Sequence, residues 1–470
     1  MINGKQQVLI AALLVLGTFA WSQEAAKPDA ESPSGFGFEL GLGTESVLRE
    51  PTEPFNELTN PMDTYQMLAI KPDLSIGKFG LGFNVTVHFN LKLGSGGQGV
   101  EFYEPDWNPD KANKTFLELY LPKIAYARWG VKGEPLFVKL GSFDDGTLGN
   151  GFIMGNYSNT RFLPQTRLFG LAFDLDGKLF NFPFVGIETF VGNLARFDVL
   201  GTRVYARPLT TMEIPILSAL QVGFTIVVDS EPQLYDAEVL DNDGDGDSVA
   251  VSGIDFRLPV LGNPLISMAA FGDLAFQNEG RWGTAMGMGG RVFSFMPYIV
   301  QLRFMGPEFI PTYFDTSYDL FRSDKFSIMQ DAPKTSEAYA GWLASLGFSL
   351  LSDMIVFNVS VDGPFAAAAS DSTSISDYPH LRGIFTVGEG LLAGFSFDAL
   401  YEKYLLGAPG GEGGFFEDLV SPENAVIGAK FNYRTGPAVL SLLYNLRYDP
   451  AATGAEKYVV TSSLISSVRF

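Results

Sequence analysis

Few residues in this chain have the types and spacing that chemistry requires. Asp241, Asp243 and Asp245 sit in the run DNDGDGD, followed by Gly246 and Asp247. Alternate carboxylates around a glycine turn are how a calcium loop begins. The twelfth position of such a loop falls on Ser252, where a bidentate glutamate is required. The run therefore reads either as a structural calcium site or as a solvated acidic turn, and no other cofactor is called for. The histidines are His88, read as standing among asparagines, and His380, read as lying with Asp377 in an outer loop. A histidine base needs a nucleophile within hydrogen-bond reach, and nothing in the sequence fixes a serine beside either. An enzyme is therefore not expected. With no cysteine, thiolate zinc, iron–sulfur and disulfide frameworks are excluded. A net charge of −21 argues against nucleic acid as a partner.

What remains is a scattered set of cations: His88, Lys92, Arg128, Arg203, Arg207, Arg257, Arg303, Lys430, Arg434 and Arg447. Each stands at an alternate position within an otherwise apolar segment. Asp174, Asp255, Asp362, Asp398 and Glu402 stand in equivalent places. The segments explain them. In LGFNVTVHFNLKL, residues 81–93, every second residue from Leu81 to Leu93 is apolar, and His88 and Lys92 fall between. Such strict alternation is a strand signal. The run matches the ~9–11 residues of a tilted strand crossing a bilayer. Similar alternation recurs at 220–228, 298–304, 355–362, 395–402 and 440–448. One face is apolar and the other small, polar or charged.

The pattern predicts strands at 35–43, 65–76, 80–93, 116–129, 136–143, 168–176, 184–193, 199–207, 219–229 and 249–259. It predicts ten more at 265–276, 284–294, 297–306, 338–351, 354–363, 381–389, 391–404, 424–435, 438–448 and 458–470. Their connections alternate between long and short. Tight turns fall at 77–80, 261–264, 295–297, 351–353, 388–390 and 434–437, and long acidic or glycine-rich loops lie between them. The seventh connection is short where a long one is due, and the eighth, 208–218, is longer than a tight turn. A soluble sandwich has no reason to sort loops by parity, whereas a bacterial transmembrane barrel does. The expected fold is thus all-β: a transmembrane antiparallel β-barrel of about 20 strands (range 16–20), with long outer loops and short periplasmic turns.

The N-terminus fits export. Lys5 precedes the apolar stretch 8–20, and Ala20 and Ser22 have the small-residue spacing of a cleavage site. Residues 1–22 read as a signal peptide, 23–33 as a polar periplasmic leader and 34–470 as the barrel. At the other end, Tyr458, Val460, Leu464, Val468 and Phe470 share one face of the last strand, which finishes on Phe470. An apolar-alternating last strand closed by phenylalanine resembles the assembly signal of outer-membrane β-barrel proteins of diderm bacteria. The resemblance implies porin-like architecture, location in the bacterial outer membrane, contact with outer-membrane lipid and handling by the barrel-assembly machinery. In general porins, the loop after the fifth strand folds into the lumen. By that analogy, residues 144–167, carrying Asp144, Asp145, Arg161 and Arg167, are the expected constriction loop.

Alternation with lipid-facing residues places the cations listed above in the lumen, because a charge facing lipid at mid-membrane costs roughly 2–4 kcal/mol. A lumen lined this way is wet. The function expected is passive or weakly selective diffusion of small hydrophilic solutes. The alternative is a structural or adhesive surface-antigen barrel with a blocked lumen. The aromatic group Phe309, Tyr313, Phe314, Tyr318 and Phe321 is read as packing a long outer loop down rather than as a sugar-stacking surface. Neither oligomeric state nor solute is legible in the sequence.

Overall fold

The computed structural model describes residues 35–48, 62–94, 97–164, 166–234, 247–330, 337–366, 377–408, 415–448 and 457–470. Among these, twenty-two strand segments form one sheet that pairs back on itself. They make twenty positions around a closed antiparallel barrel. Two segments account for the difference. The third position is broken at Asn84 into Phe79–Phe83 and Val85–Gly94. The segment Gly97–Phe102 pairs only with Val85–Gly94, as a hairpin extending past the wall.

Closure joins the two ends of the chain. Gly35–Leu48 pairs with Met62–Ile76 on one side and with Tyr458–Arg469 on the other. The Phe470 amide donates to the Phe38 carbonyl at 2.8 Å, and the Phe38 amide donates back at 3.3 Å. The two rings lie 6.4 Å apart. Pairing of the first strand with the last closes the wall, so that the barrel itself offers no sheet edge at this seam.

The alternation read from sequence sorts the faces as a membrane requires. In Met296–Met305, Val300, Leu302 and Phe304 are 51%, 51% and 50% exposed on the outside, while Gln301, Arg303 and Met305 are 5%, 5% and 1% exposed inside. In Gln221–Asp229, Val222, Phe224 and Ile226 face out, and Gln221, Thr225 and Asp229 are buried. A water-soluble protein does the reverse: large apolar side chains go in and arginine stays out. Apolar out and charged in is the arrangement of a barrel in lipid.

Two predicted boundaries need correction. The fourth strand is Ile124–Trp129, not 116–129, because Phe116–Tyr120 is a short helix. Thr115 caps it, accepting from the Glu118 amide while Glu118 accepts from the Thr115 amide. The turn expected at 388–390 lies further on. His380–Leu392 runs through those glycines with a register shift, and Phe395–Lys403 begins after Ala393 and Gly394. Long and short connections otherwise alternate as expected, except that the seventh (192–198) and eleventh (277–281) are short and the eighth (207–220) is long. Residues 1–22 and 23–33, expected as signal peptide and leader, and the acidic run holding Asp241, Asp243 and Asp245 lie outside the described residues.

The lumen and the loops that cross it as a candidate functional site

Residues 142–169 leave the fifth strand, Leu136–Gly141, and return to the sixth, Gly170–Asp176. In between they reach both sides of the barrel. At the tip, the Gly149 amide donates to Glu188 at 3.3 Å on the seventh strand. Arg257 on the tenth strand donates to the Asn150 side-chain oxygen at 3.1 Å and to the Gly149 carbonyl at 3.2 Å. The Asn150 amide group donates to Asp273 on the eleventh strand at 3.3 Å. Further along, the Leu163 carbonyl accepts from Asn445 at 2.6 Å and from Thr461 at 3.3 Å, on the nineteenth and twentieth strands. The segment therefore runs as a chord from one wall to the facing wall. Gly149 and Gly151 supply the positive φ angles (58° and 84°) that fold its tip.

A second chord was not anticipated. Residues 306–330, read from sequence as an outer loop packed on itself, turn inward and carry the helix Tyr318–Gln330. Ser317 donates from its hydroxyl to Glu402 on the seventeenth strand. On the other side Arg322 binds Asp229 at the end of the ninth strand, through Nη2 at 2.5 Å and Nε at 3.1 Å, and Asp198 through Nη1 at 2.8 Å. The chords meet in mid-lumen. The Thr312 and Phe314 amides donate to the Phe152 and Ile153 carbonyls at 2.8 and 3.2 Å, and the Gly155 amide donates to the Phe314 carbonyl at 3.1 Å. Arg161 donates to the Thr316 carbonyl at 3.1 Å, and Tyr157 to Asp319 at 2.9 Å. Phe152 stacks on Phe309 with centroids 5.7 Å apart. Phe309, Tyr313, Phe314 and Tyr318 lie in one apolar cluster with inward-facing Val199, Val227, Val251 and Met305 of the wall.

Beneath the chords is a cavity of about 530 Å³. Thr147, Asn150, Thr312 and Thr316 roof it, and Asp353 and Arg291 mark the end nearest the short turns. Arg128, Arg257 and Arg303 line it, together with Arg382, which the sequence reading did not single out. Its wall carries both signs of charge: Arg303 is bonded to Asp362, 2.8 Å away, and Arg257, bonded to oxygens of the chord, also feels the carboxylates of Glu188, Asp255 and Asp273.

The remaining nominated residues divide. Arg203 is buried and bonded through two nitrogens to Asp255, at 2.8 and 2.6 Å, with Glu188 at 3.2 Å from Nη1. Arg207 is buried and bonded to Asp176 near the short-turn end. Arg434 pairs with Glu389. Lys430 is exposed and Arg447 half-buried. Lys92 lies on Val85–Gly94, and its side chain is outside the described ones. Asp144 is exposed and accepts from Ser158 at 3.1 Å and from Thr160. Enclosure by the barrel works against its ionisation. Arg161 and those hydroxyls outweigh it and hold the carboxyl below its ordinary range. Asp145 and Arg161 are half-buried, as is Arg167, whose guanidinium is held below its ordinary value by enclosure.

The histidines are wall braces. His88 lies between Asp106, 2.9 Å from Nδ1, and Glu45, 3.5 Å from Nε2, not among asparagines. His380 starts a strand rather than sitting in an outer loop, between Asp362 at 3.2 Å and Glu402 at 3.0 Å. Ser317 is nearby, but its hydroxyl is given to Glu402. Both His380 nitrogens face carboxylates, so the group is an ion-pair chain and not a base poised on a nucleophile.

No family model and no curated protein matches this sequence. Among solved structures, the chain is similar to the outer membrane protein OpdK of Pseudomonas aeruginosa, at 11% identity and a TM-score of 0.33, over 93% of this chain and 99% of that one. It is similar to P. aeruginosa OccK2 (OpdF) in complex with glucuronate, at 8% identity and a TM-score of 0.31, over 93% and 98%. It is also similar to CdiB from Acinetobacter baumannii, at 7% identity and a TM-score of 0.26, and spans 60% of that chain. Likenesses this distant say nothing of what this chain carries or binds. Its own geometry, a closed barrel with an apolar outside and a charged inside, makes it a transmembrane β-barrel.

Proposed function

We propose that this barrel is a channel for small hydrophilic solutes, passive or weakly selective. The observation that carries the reading is the 530 Å³ cavity inside a closed wall, lined by Arg128, Arg257 and Arg303 and continuous with the short-turn end. A cavity of this size lined by charged and hydroxyl side chains, Arg257, Arg303, Asp362 and Ser360 among them, suits water and polar solutes better than apolar filling. On this reading residues 144–167 are the constriction, with Asp144, Asp145, Arg161 and Arg167 setting a transverse field. The excess of acidic residues in the loops gives a weak cation preference that fades as salt shortens the Debye length below ~10 Å. Residues 1–22 are removed on export, 23–33 are a periplasmic leader, and Phe470 is read by the barrel-assembly machinery; Asp241, Asp243 and Asp245 are either a structural calcium site or a solvated acidic turn.

Swelling of liposomes containing the folded protein, in sugars and amino acids of increasing size, tests the reading. Graded swelling is expected, and none at any size would refute it. A second reading, a structural or adhesive barrel with a blocked lumen, draws on the apolar cluster that fills the crossing of the two chords.

A further inference from the structure

Four observations bear on how the roof behaves. Each chord is tied to opposite walls, so neither is a loop merely resting on the rim. The chords share backbone hydrogen bonds and aromatic contacts, so moving one alone would strip buried donors from the other. The tie at Arg322 is electrostatic and dry: Arg322, Asp198 and Asp229 are all buried, and the Tyr318 hydroxyl adds a bond to Asp229 at 2.5 Å. Asp319 is buried on the same helix. Without the guanidinium, Asp198, Asp229 and Asp319 would be like charges crowded at one helix end, which favours expulsion of the helix.

We propose that residues 142–164 and 306–330 form a two-bar gate across the long-loop mouth, latched by Arg322 on Asp198 and Asp229, and that solute passage requires both bars to draw back together from that wall. The proposal rests on the channel reading for its purpose, but not for its geometry. The carboxyl of Asp319, pushed up to about 7 by burial and by Asp198 and Asp229 against the pull of Arg322, shows how little spare charge the latch tolerates.

The chain has no cysteine, which permits a clean test. Ser360 lines the cavity beneath the roof, and Ser360→Cys gives it a single thiol. A bulky impermeant maleimide is added to intact cells, with folding checked by heat-modifiable gel migration. In the Arg322→Gln background labelling should accelerate at least ~10-fold, a shift of ~1.4 kcal/mol in the open–closed ratio. Arg322→Lys should keep it slow. Tyr157→Phe, which removes a bond between the bars without changing volume, should also accelerate it and serves if Arg322→Gln does not fold. Unchanged rates in folded variants, or fast labelling in the unlatched and latched proteins alike, would overturn the gate. Planar-bilayer recording separates the two readings. Accelerated labelling in a barrel that never conducts keeps the gate and removes the channel. Normal conductance with unchanged labelling keeps the channel and removes the gate.

Discussion

Replacing Arg203 with alanine should be among the most damaging single changes to the wall. Arg203 and Asp255 are both buried and joined by two charge-assisted bonds of 2.8 and 2.6 Å, while Glu188 is half-buried and holds the remaining arm. Alanine leaves Asp255 buried with its partner gone, and breaking a buried pair from one side typically costs ~3–5 kcal/mol. The tip of the first chord suffers with it, because Arg203 atoms lie 3.0 Å from where a side chain on Gly149 would begin. Urea unfolding of the protein in lipid vesicles, followed by tryptophan fluorescence, measures the loss. The double variant Arg203→Met/Asp255→Leu should recover most of it, since replacing both partners by apolar groups is often close to neutral. Gly223→Ala is an independent check. Its new carbon would sit 2.5 Å from Asp255 Oδ2 and 2.6 Å from Arg203 Nε, and should cost ~1–3 kcal/mol by displacing the pair. A loss below ~1 kcal/mol for Arg203→Ala would mean that water compensates Asp255, and that this part of the interior is wetter than described.

Leu302→Arg, on the outer face, should cost ~2–4 kcal/mol in the same assay, whereas Ser360→Arg, in the cavity, should cost little; equal costs would contradict the assignment of faces. The folded carboxyl of Asp319 is raised to about 7, above ~3.9 for an unfolded aspartate, so the folded protein holds an extra proton between those values. Stability should therefore fall as pH rises from about 4 to 7, and Asp319→Asn should flatten that slope; a slope unchanged by the substitution would refute it. Deleting Phe470 removes its backbone pair with Phe38 and should lower the heat-modifiable barrel recovered from outer membranes; full recovery would discount the terminal residue as an assembly signal.

The barrel was legible because its code is local. Alternation with period two marks a strand wherever one face meets lipid, and loop lengths then order the strands. Boundaries slipped where a local signal was outvoted. Thr115 and Glu118 have capping-box spacing, yet the apolar residues after them read equally well as strand. The first chord was reachable only through resemblance. The second was not reachable at all, because Arg322 finds Asp198 and Asp229 across 124 and 93 residues of chain. The partners of His380 show the same limit. Asp377 is near in sequence, but antiparallel register sets His380 opposite Asp362, and Glu402 reaches it from the next strand.

Single-channel recording of the folded protein in a planar bilayer decides whether the interior of this barrel conducts. Discrete, reproducible conductance steps are expected, growing in time-averaged size when the Arg322 latch is removed. Protein shown to be folded and inserted that passes no current, with or without Arg322, would contradict that expectation and leave a blocked structural barrel.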